Sequence, residues 1–215
     1  MKIRKINGVN PADRAAVDEA FARVESHPIA CCNWPAGYPY APEVRFRMFH
    51  TGDRLIIRFD VAENYTAARV TADNGEVWTD SCVEFFLAVG DETGYYNFET
   101  TCIGRMLLGF RHTHADAVHA SQEIIDDVIR QTTYPFGEPF EEIEGNNRWS
   151  VTLAIPPRAL FRHRIEDWSG VKARVNLYKC GDRLSHPHFL SWRPIISEKP
   201  DFHRPEFFEP VDFEC

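Results

Sequence analysis

The sequence predicts an all-β fold, an antiparallel β-sandwich of jelly-roll or immunoglobulin-like type with one short N-terminal helix. Two observations carry this expectation. Short segments with strict apolar/polar alternation recur along the chain, separated by Gly, Pro, Asn and Asp breaks. Clear helical spacing occurs only near the start. A length of 215 residues suits one domain of this class, 1–215, and can bury a core without staples.

The elements follow in order. Asn10-Pro11 reads as an N-cap with Pro at the first helical position. Ala16, Val17, Ala20, Phe21 and Val24 then recur at helical spacing, which predicts a helix over 11–25. The Pro-rich stretch 34–42 reads as a loop, so 1–43 forms a helix-and-loop extension. Strand patterns dominate afterwards. Val44, Phe46 and Met48 alternate with arginines, and Leu55, Ile57, Phe59 and Val61 share one face. Val83, Phe85, Leu87 and Val89 form another stripe, as do Trp149, Val151, Leu153 and Ile155. Val171, Ala173, Val175 and Leu177 alternate with Lys172, Arg174, Asn176 and Tyr178. The region 115–134 fits a helix through Val118, Ile125 and Val128, and fits a strand over 124–134. The acidic run 138–144 reads as a solvated loop. The tail 197–215, with Pro200, Pro205 and Pro210, is expected to pack irregularly across the domain.

Composition excludes several classes. Hydrophobic residues make up 44% and charged residues 26%, so the chain is not intrinsically disordered. A formal net charge of −8 argues against nucleic acid or an anionic membrane surface as partner. No apolar run is long enough for a membrane-spanning helix. The first seven residues are basic, but no apolar stretch follows. This predicts no signal peptide and a cytoplasmic location, or a secreted or periplasmic one if the chain is a mature form. The six Cys show no metal-ligand spacing and are expected to be reduced thiols.

One hairpin carries most of the functional information. Strands 81–89 and 95–103 are joined by Gly90-Asp91-Glu92-Thr93-Gly94. Matching like faces pairs Phe85 with Phe98 and Leu87 with Tyr96. A one-residue slip would set Glu99 opposite Phe85 in the core, which is costly for a carboxylate. The favoured register therefore places Glu84 opposite Glu99. Such neighbours have Cβ atoms about 4.5–5.5 Å apart, and like charges there repel. A cation, ligand hydroxyls or solvent on an open sheet face would each relieve that repulsion.

Six blocks in this order resemble a known family: VWTDSCVEFFL (77–87), YYNFETTCIGRML (95–107), RWSVTLAIP (148–156), VNLYKC (175–180), FLSWRP (189–194) and FHRPEFFEPVDF (202–213). Together they resemble the family 9 carbohydrate-binding module and its standalone relatives, over roughly 44–213. The resemblance implies a β-sandwich linked to polysaccharide degradation and carbohydrate catabolism. It implies a sugar clamped by two aromatic rings, the first matching Trp78 and the second Trp192. It further implies that Glu84, and polar residues in the stretch from Asn97 to Arg105, read the hydroxyls. Structural calcium is also implied, with no ligands placed. No catalytic domain is expected within these 215 residues, a departure from modules that anchor an enzyme to a polysaccharide.

The residues support a sugar on physical grounds. A pyranose stacks its apolar face on flat rings, while its hydroxyls need fixed polar partners, of which charged ones bond most strongly. Trp78, Trp192 and Tyr178 are candidates for stacking. Asp80, Glu84, Asn97, Glu99, Arg105 and Asn176 are candidates for hydrogen bonding. By parity Asn176 and Tyr178 point away from their strand's apolar face, as Glu84 does, so one open face collects them if these strands share a sheet. Trp149 and Trp168 are expected to be packing residues. The expectation is non-catalytic binding of a small saccharide or glycan end. The alternatives are an O-glycosyl hydrolase using Glu84 and Glu99, and a sandwich that binds a non-sugar ligand. A hydrolase needs carboxyls about 5–5.5 Å apart for retention, in unlike environments. A metal at His112, His114 and His119 competes with a solvated loop, and no nucleotide or hydrolase motif is present.

Overall fold

The computed structural model describes residues 1–215, apart from the side chain of His114. It is a two-sheet sandwich, as the alternation predicts. In chain order the first elements are β1 (Lys2–Ile3), α1 (Arg14–Phe21), β2 (His27–Pro28), β3 (Cys31–Cys32), β4 (Glu43–His50) and β5 (Leu55–Ala68). The centre contributes β6 (Cys82–Val89), β7 (Tyr95–Thr101), β8 (Met106–Arg111), β9 (Val118–His119), α2 (Gln122–Asp127) and β10 (Ile129–Thr132). The remainder is β11 (Phe140–Ile155), β12 (Lys172–Cys180), β13 (Phe189–Ser191) and β14 (Glu209–Phe213).

The larger sheet runs β1-β14-β12-β6-β7-β8-β9, with β13 pairing both β12 and β3. The smaller runs β10-β11-β5-β4-β2. The pairings between these strands are antiparallel except β1 on β14, and a single parallel bridge joins Lys5 to His50. The alternating residues do what their period requires. Phe46, Phe59, Val151 and Leu153 of the small sheet meet Val83, Phe85, Phe98 and Leu177 of the large one in a single core. Trp149 and Trp168 lie in that core, as expected. The opposite face of the small sheet offers Phe49, Ile56 and Ala154, which Val17, Ala20 and Phe21 of α1 cover.

Several expectations change at the element boundaries. The helix starts at Arg14, because Asp13 accepts from the Ala15 and Ala16 N–H groups (3.0 and 3.3 Å) and caps it. Asn10 instead closes a turn onto the Ala12 N–H, and Pro11 stands in that turn. Residues 1–43 also supply three two-residue strands that join both sheets. The ambiguous region contains both a short helix, α2, and a strand, β10. From Phe140 the acidic run is the outer end of β11, paired with β5 from Phe140↔Ala68 onward, and residues 138 and 139 precede the strand. The tail ends in a regular strand, β14.

An ion pair spans the sandwich. Lys179 Nζ of β12 lies 2.8 Å from Glu63 Oε2 of β5, both side chains fully buried. Trp149 Nε1 donates to the other Glu63 oxygen (2.7 Å), and the Lys179 ammonium donates to His188 Nε2 (2.7 Å). Burial, and then the Lys179 charge, hold the His188 pKa well below the usual imidazole range, so this ring stays neutral and accepts.

Candidate functional site

The hairpin register is the one the sequence favours: Phe85↔Phe98, Leu87↔Tyr96 and Glu84↔Glu99. The next strand joins the same sheet with Tyr178↔Glu84 and Asn176↔Phe86. The polar residues singled out on these strands therefore do share one sheet face. That face is not open. A second apolar layer lies over it, in which Trp34, Ile195, Phe202 and Phe208 pack on Phe86, Tyr95 and Tyr178. Phe202 stacks on Tyr178 with ring centroids 4.2 Å apart and planes 10° from parallel. Glu84 and Glu99 are consequently 3% and 4% exposed.

The covering layer leaves a cavity of about 370 Å³ over the carboxylate pair. Trp78 and Asp182 line it together with Phe189, Phe202 and His203, and Arg111 reaches it from β8. A short 3-10 turn, Val77–Thr79, holds Trp78 half-buried at the rim. Its carbonyl accepts from the Asp182 N–H (3.1 Å), which ties this turn to the loop after β12. His203 is oriented by the Tyr95 hydroxyl, 3.0 Å from its Nδ1. Gly109 sits beside Asn97 because any Cβ there would lie 2.7 Å from Asn97 Oδ1.

The site is rich in acid. Burial, and then the Glu99 charge, raise Glu84 well above the usual carboxylate range. Burial raises Glu99 to about 7 despite a 2.7 Å hydrogen bond donated by Asn97. Asp182 is pushed up to about 6, again by burial. Cys180 Sγ donates to Glu84 Oε1 at 3.0 Å. Glu99 Oε2, Asn97 Oδ1 and Arg111 Nε are buried with no protein partner. Such atoms are costly when left unpaired, and a bound polar ligand can satisfy those that face the cavity.

The expected site residues thus divide. Trp78, Glu84 and Glu99 meet at the cavity. Asn97 stands behind Glu99 and orients it, and Tyr178 lies beneath Phe202. The other four stand elsewhere. Asp80 is buried and accepts from the Arg69 and Val70 N–H groups (2.6 and 2.7 Å). Asn176 is buried and fixes the backbone of Arg193. Arg105 lies over the Phe136 ring. Trp192 is 8% exposed, edge-on to Phe46, with the Arg193 guanidinium 4.2 Å from its ring centroid. Sequence reasoning missed Arg111, Asp182, Phe189 and the 200–203 segment. Arg111 had a readable signal: it lies on β8 opposite Tyr95, on the face of Glu99.

Calcium takes six to eight oxygen ligands. Among the described residues, one group of three His, Cys, Asp or Glu side chains has its ligand atoms within 4.8 Å of one another: Cys82, Glu84 and Cys180. Two of its three donors are sulfur, so it does not fit calcium. His112 is bound to Asp116 (3.2 Å) in an exposed turn, His119 is exposed on β9, and the His114 side chain lies outside the described residues. All six Cys are free. Among the described residues no helix is long and apolar enough to cross a membrane.

Comparison with known proteins places these features in context. A sequence profile described as carbohydrate-binding family 9 matches residues 15–213. A crystal structure of a provisionally assigned carbohydrate-binding protein from Bacteroides uniformis ATCC 8492 superposes with a TM-score of 0.94 at 39% identity, covering 100% of this chain and 98% of that one. A family 9 carbohydrate-binding module from Caldicellulosiruptor kristjanssonii in complex with glucose gives a TM-score of 0.59 at 10% identity, covering 100% and 95%. A cellotriose complex of a family 9 module from the same organism gives 0.57 at 11%, covering 100% and 94%. These two share the sandwich fold. No curated protein matches the chain.

Proposed function

The chain belongs to carbohydrate-binding family 9, and from that premise we propose that it binds a small saccharide or glycan end, without cleaving it, in the cavity over Glu84 and Glu99, as part of carbohydrate catabolism. One observation carries this reading. A half-buried tryptophan and two buried carboxylates, one with an unpartnered oxygen, converge on a single cavity. Its volume of about 370 Å³ falls at the small end of ligand sites, which suits one or two sugar rings. Trp78, with Phe189 and Phe202, supplies apolar wall for the pyranose face. Glu84, Glu99 and Arg111 supply acceptors and a donor for its hydroxyls.

The position of the carboxylates favours binding over hydrolysis. Both rise from neighbouring strands of one floor and reach a ligand from the same side. A glycosidase pair instead flanks the scissile bond.

Isothermal titration with glucose and cellotriose, the sugars held by the structurally similar modules, tests the proposal. Trp78→Ala and Glu84→Ala are each expected to weaken binding at least about tenfold, equivalent to about 1.4 kcal/mol. Their circular dichroism should match the wild type. Unchanged affinity in both variants contradicts the site. Release of reducing sugar that Glu84→Gln abolishes would contradict the non-catalytic part.

A further inference from the structure

Beside Glu84, which the sugar reading also uses, stand two buried thiols that sugar binding does not use. Cys82 of β6 and Cys180 of β12 are direct cross-strand partners. Their thiols and the Glu84 carboxylate have ligand atoms within 4.8 Å of one another, and all three residues are buried. Asp182 follows two residues after Cys180, and its carboxylate interacts with the Cys180 thiol. Asp182 also lines the cavity, which provides an entry path from solvent.

We propose that Cys82, Cys180 and Glu84, completed by Asp182, form a binding site for one thiophilic divalent cation, of which zinc is the natural occupant. The chemistry of the donors selects the metal. Calcium and magnesium take oxygen ligands, whereas thiolates select zinc and other soft ions. Two sulfurs and two carboxylate oxygens make a four-donor tetrahedral set, with Zn–S near about 2.3 Å and Zn–O near about 2.0–2.2 Å. Bonds of that length put neighbouring ligand atoms roughly 3.8 Å apart, so the three donors now within 4.8 Å of one another would draw together, and Asp182, outside that group, would swing in from its loop. The other free thiols lie elsewhere: Cys31 and Cys32 on β3, Cys102 against the Ala67 carbonyl and Cys215 at the exposed end.

Geometry supports the assignment: Cys180 Sγ already lies 3.0 Å from Glu84 Oε1, so one sulfur and one oxygen of the set meet without a cation. On binding, each thiol and each protonated carboxyl of the set releases its proton to buffer as its sulfur or oxygen bonds the metal, and no electron transfer is involved. The surrounding charges are Glu99 from β7 and Arg111 from β8. Lys179, which alternates to the other side of β12, is committed to Glu63.

The test uses the reduced full-length chain. After equilibration with zinc and exhaustive dialysis, elemental analysis is expected to find one zinc per chain. Zinc-edge absorption fine structure should show two sulfur neighbours at about 2.3 Å beside two oxygens. Cobalt substitution should give a near-ultraviolet thiolate charge-transfer band that a Cys82→Ser/Cys180→Ser double variant lacks. Asp182→Asn, on a loop and outside the strands, is expected to lower zinc affinity at least about tenfold. A shell of oxygen and nitrogen only, a band that persists in the double variant, or unchanged affinity in Asp182→Asn overturns the proposal. These readouts are independent of sugar binding, so either inference can fail without the other.

Discussion

At the residue scale, the defining feature is burial of acid without matching cation. Glu99 titrates near 7, above its ordinary value of 4.5, because burial disfavours its charge. The native state therefore binds this proton more tightly than the unfolded chain. Its contribution is fully present below about 4.5 and is lost as pH rises to about 7. Glu99→Gln removes that loss and keeps an amide oxygen to accept from Asn97. The melting temperature of the variant minus that of the wild type should rise between pH 4.5 and 7 and then level off. A difference independent of pH would contradict the burial argument. Lys179 presents the opposite case, a buried charge that is fully paired. Lys179→Met leaves the Glu63 carboxylate buried without its cation, and urea unfolding should show a loss of about 3–5 kcal/mol. A loss under about 1 kcal/mol would mean that Glu63 finds another partner.

At the element scale, what the chain revealed beforehand was whatever period and register control. The β6–β7 pairing was legible because a slip would bury Glu99 against Phe85, and the structure has the unslipped register. Parity also gave the side to which Tyr178 and Asn176 point. It could not give what lies over that side. Phe189, Phe202 and His203 reach the cavity by tertiary packing from more than a hundred residues after Glu84 in sequence, through a segment whose irregular pattern carries no period. The helix start was misplaced because Asn10 and Asp13 are both good caps, and the turn at Asn10 leaves Asp13 to do the capping. For the 138–144 run charge suggests a loop, whereas from Phe140 it is the exposed end of a paired strand. The covering segment can be tested directly. Phe202→Ala strips the ring stacked on Tyr178, which should cost about 3 kcal/mol and weaken sugar binding with it. Sugar affinity equal to the wild type in a folded Phe202→Ala variant would show that the cover is no part of the site.

At the scale of the whole molecule, one sandwich core supports two layers of different use. The inner faces of the sheets make the common core, and α1 closes the back of the small sheet. The outer face of the large sheet is where the chain spends its later aromatics, in a second layer that roofs the acid pair. Several of the carboxyl groups counted in the formal net charge of −8 are thus gathered at one place, since Glu84, Glu99 and Asp182 face one cavity with Arg111 beside them. The five tryptophans make the central claim measurable, because each indole N–H gives its own signal in a nitrogen–proton correlation spectrum. Titrating glucose or cellotriose into the labelled protein should move the Trp78 signal most, and leave those of Trp149, Trp168 and Trp192 in place. A titration in which Trp192 moves and Trp78 does not would contradict the account.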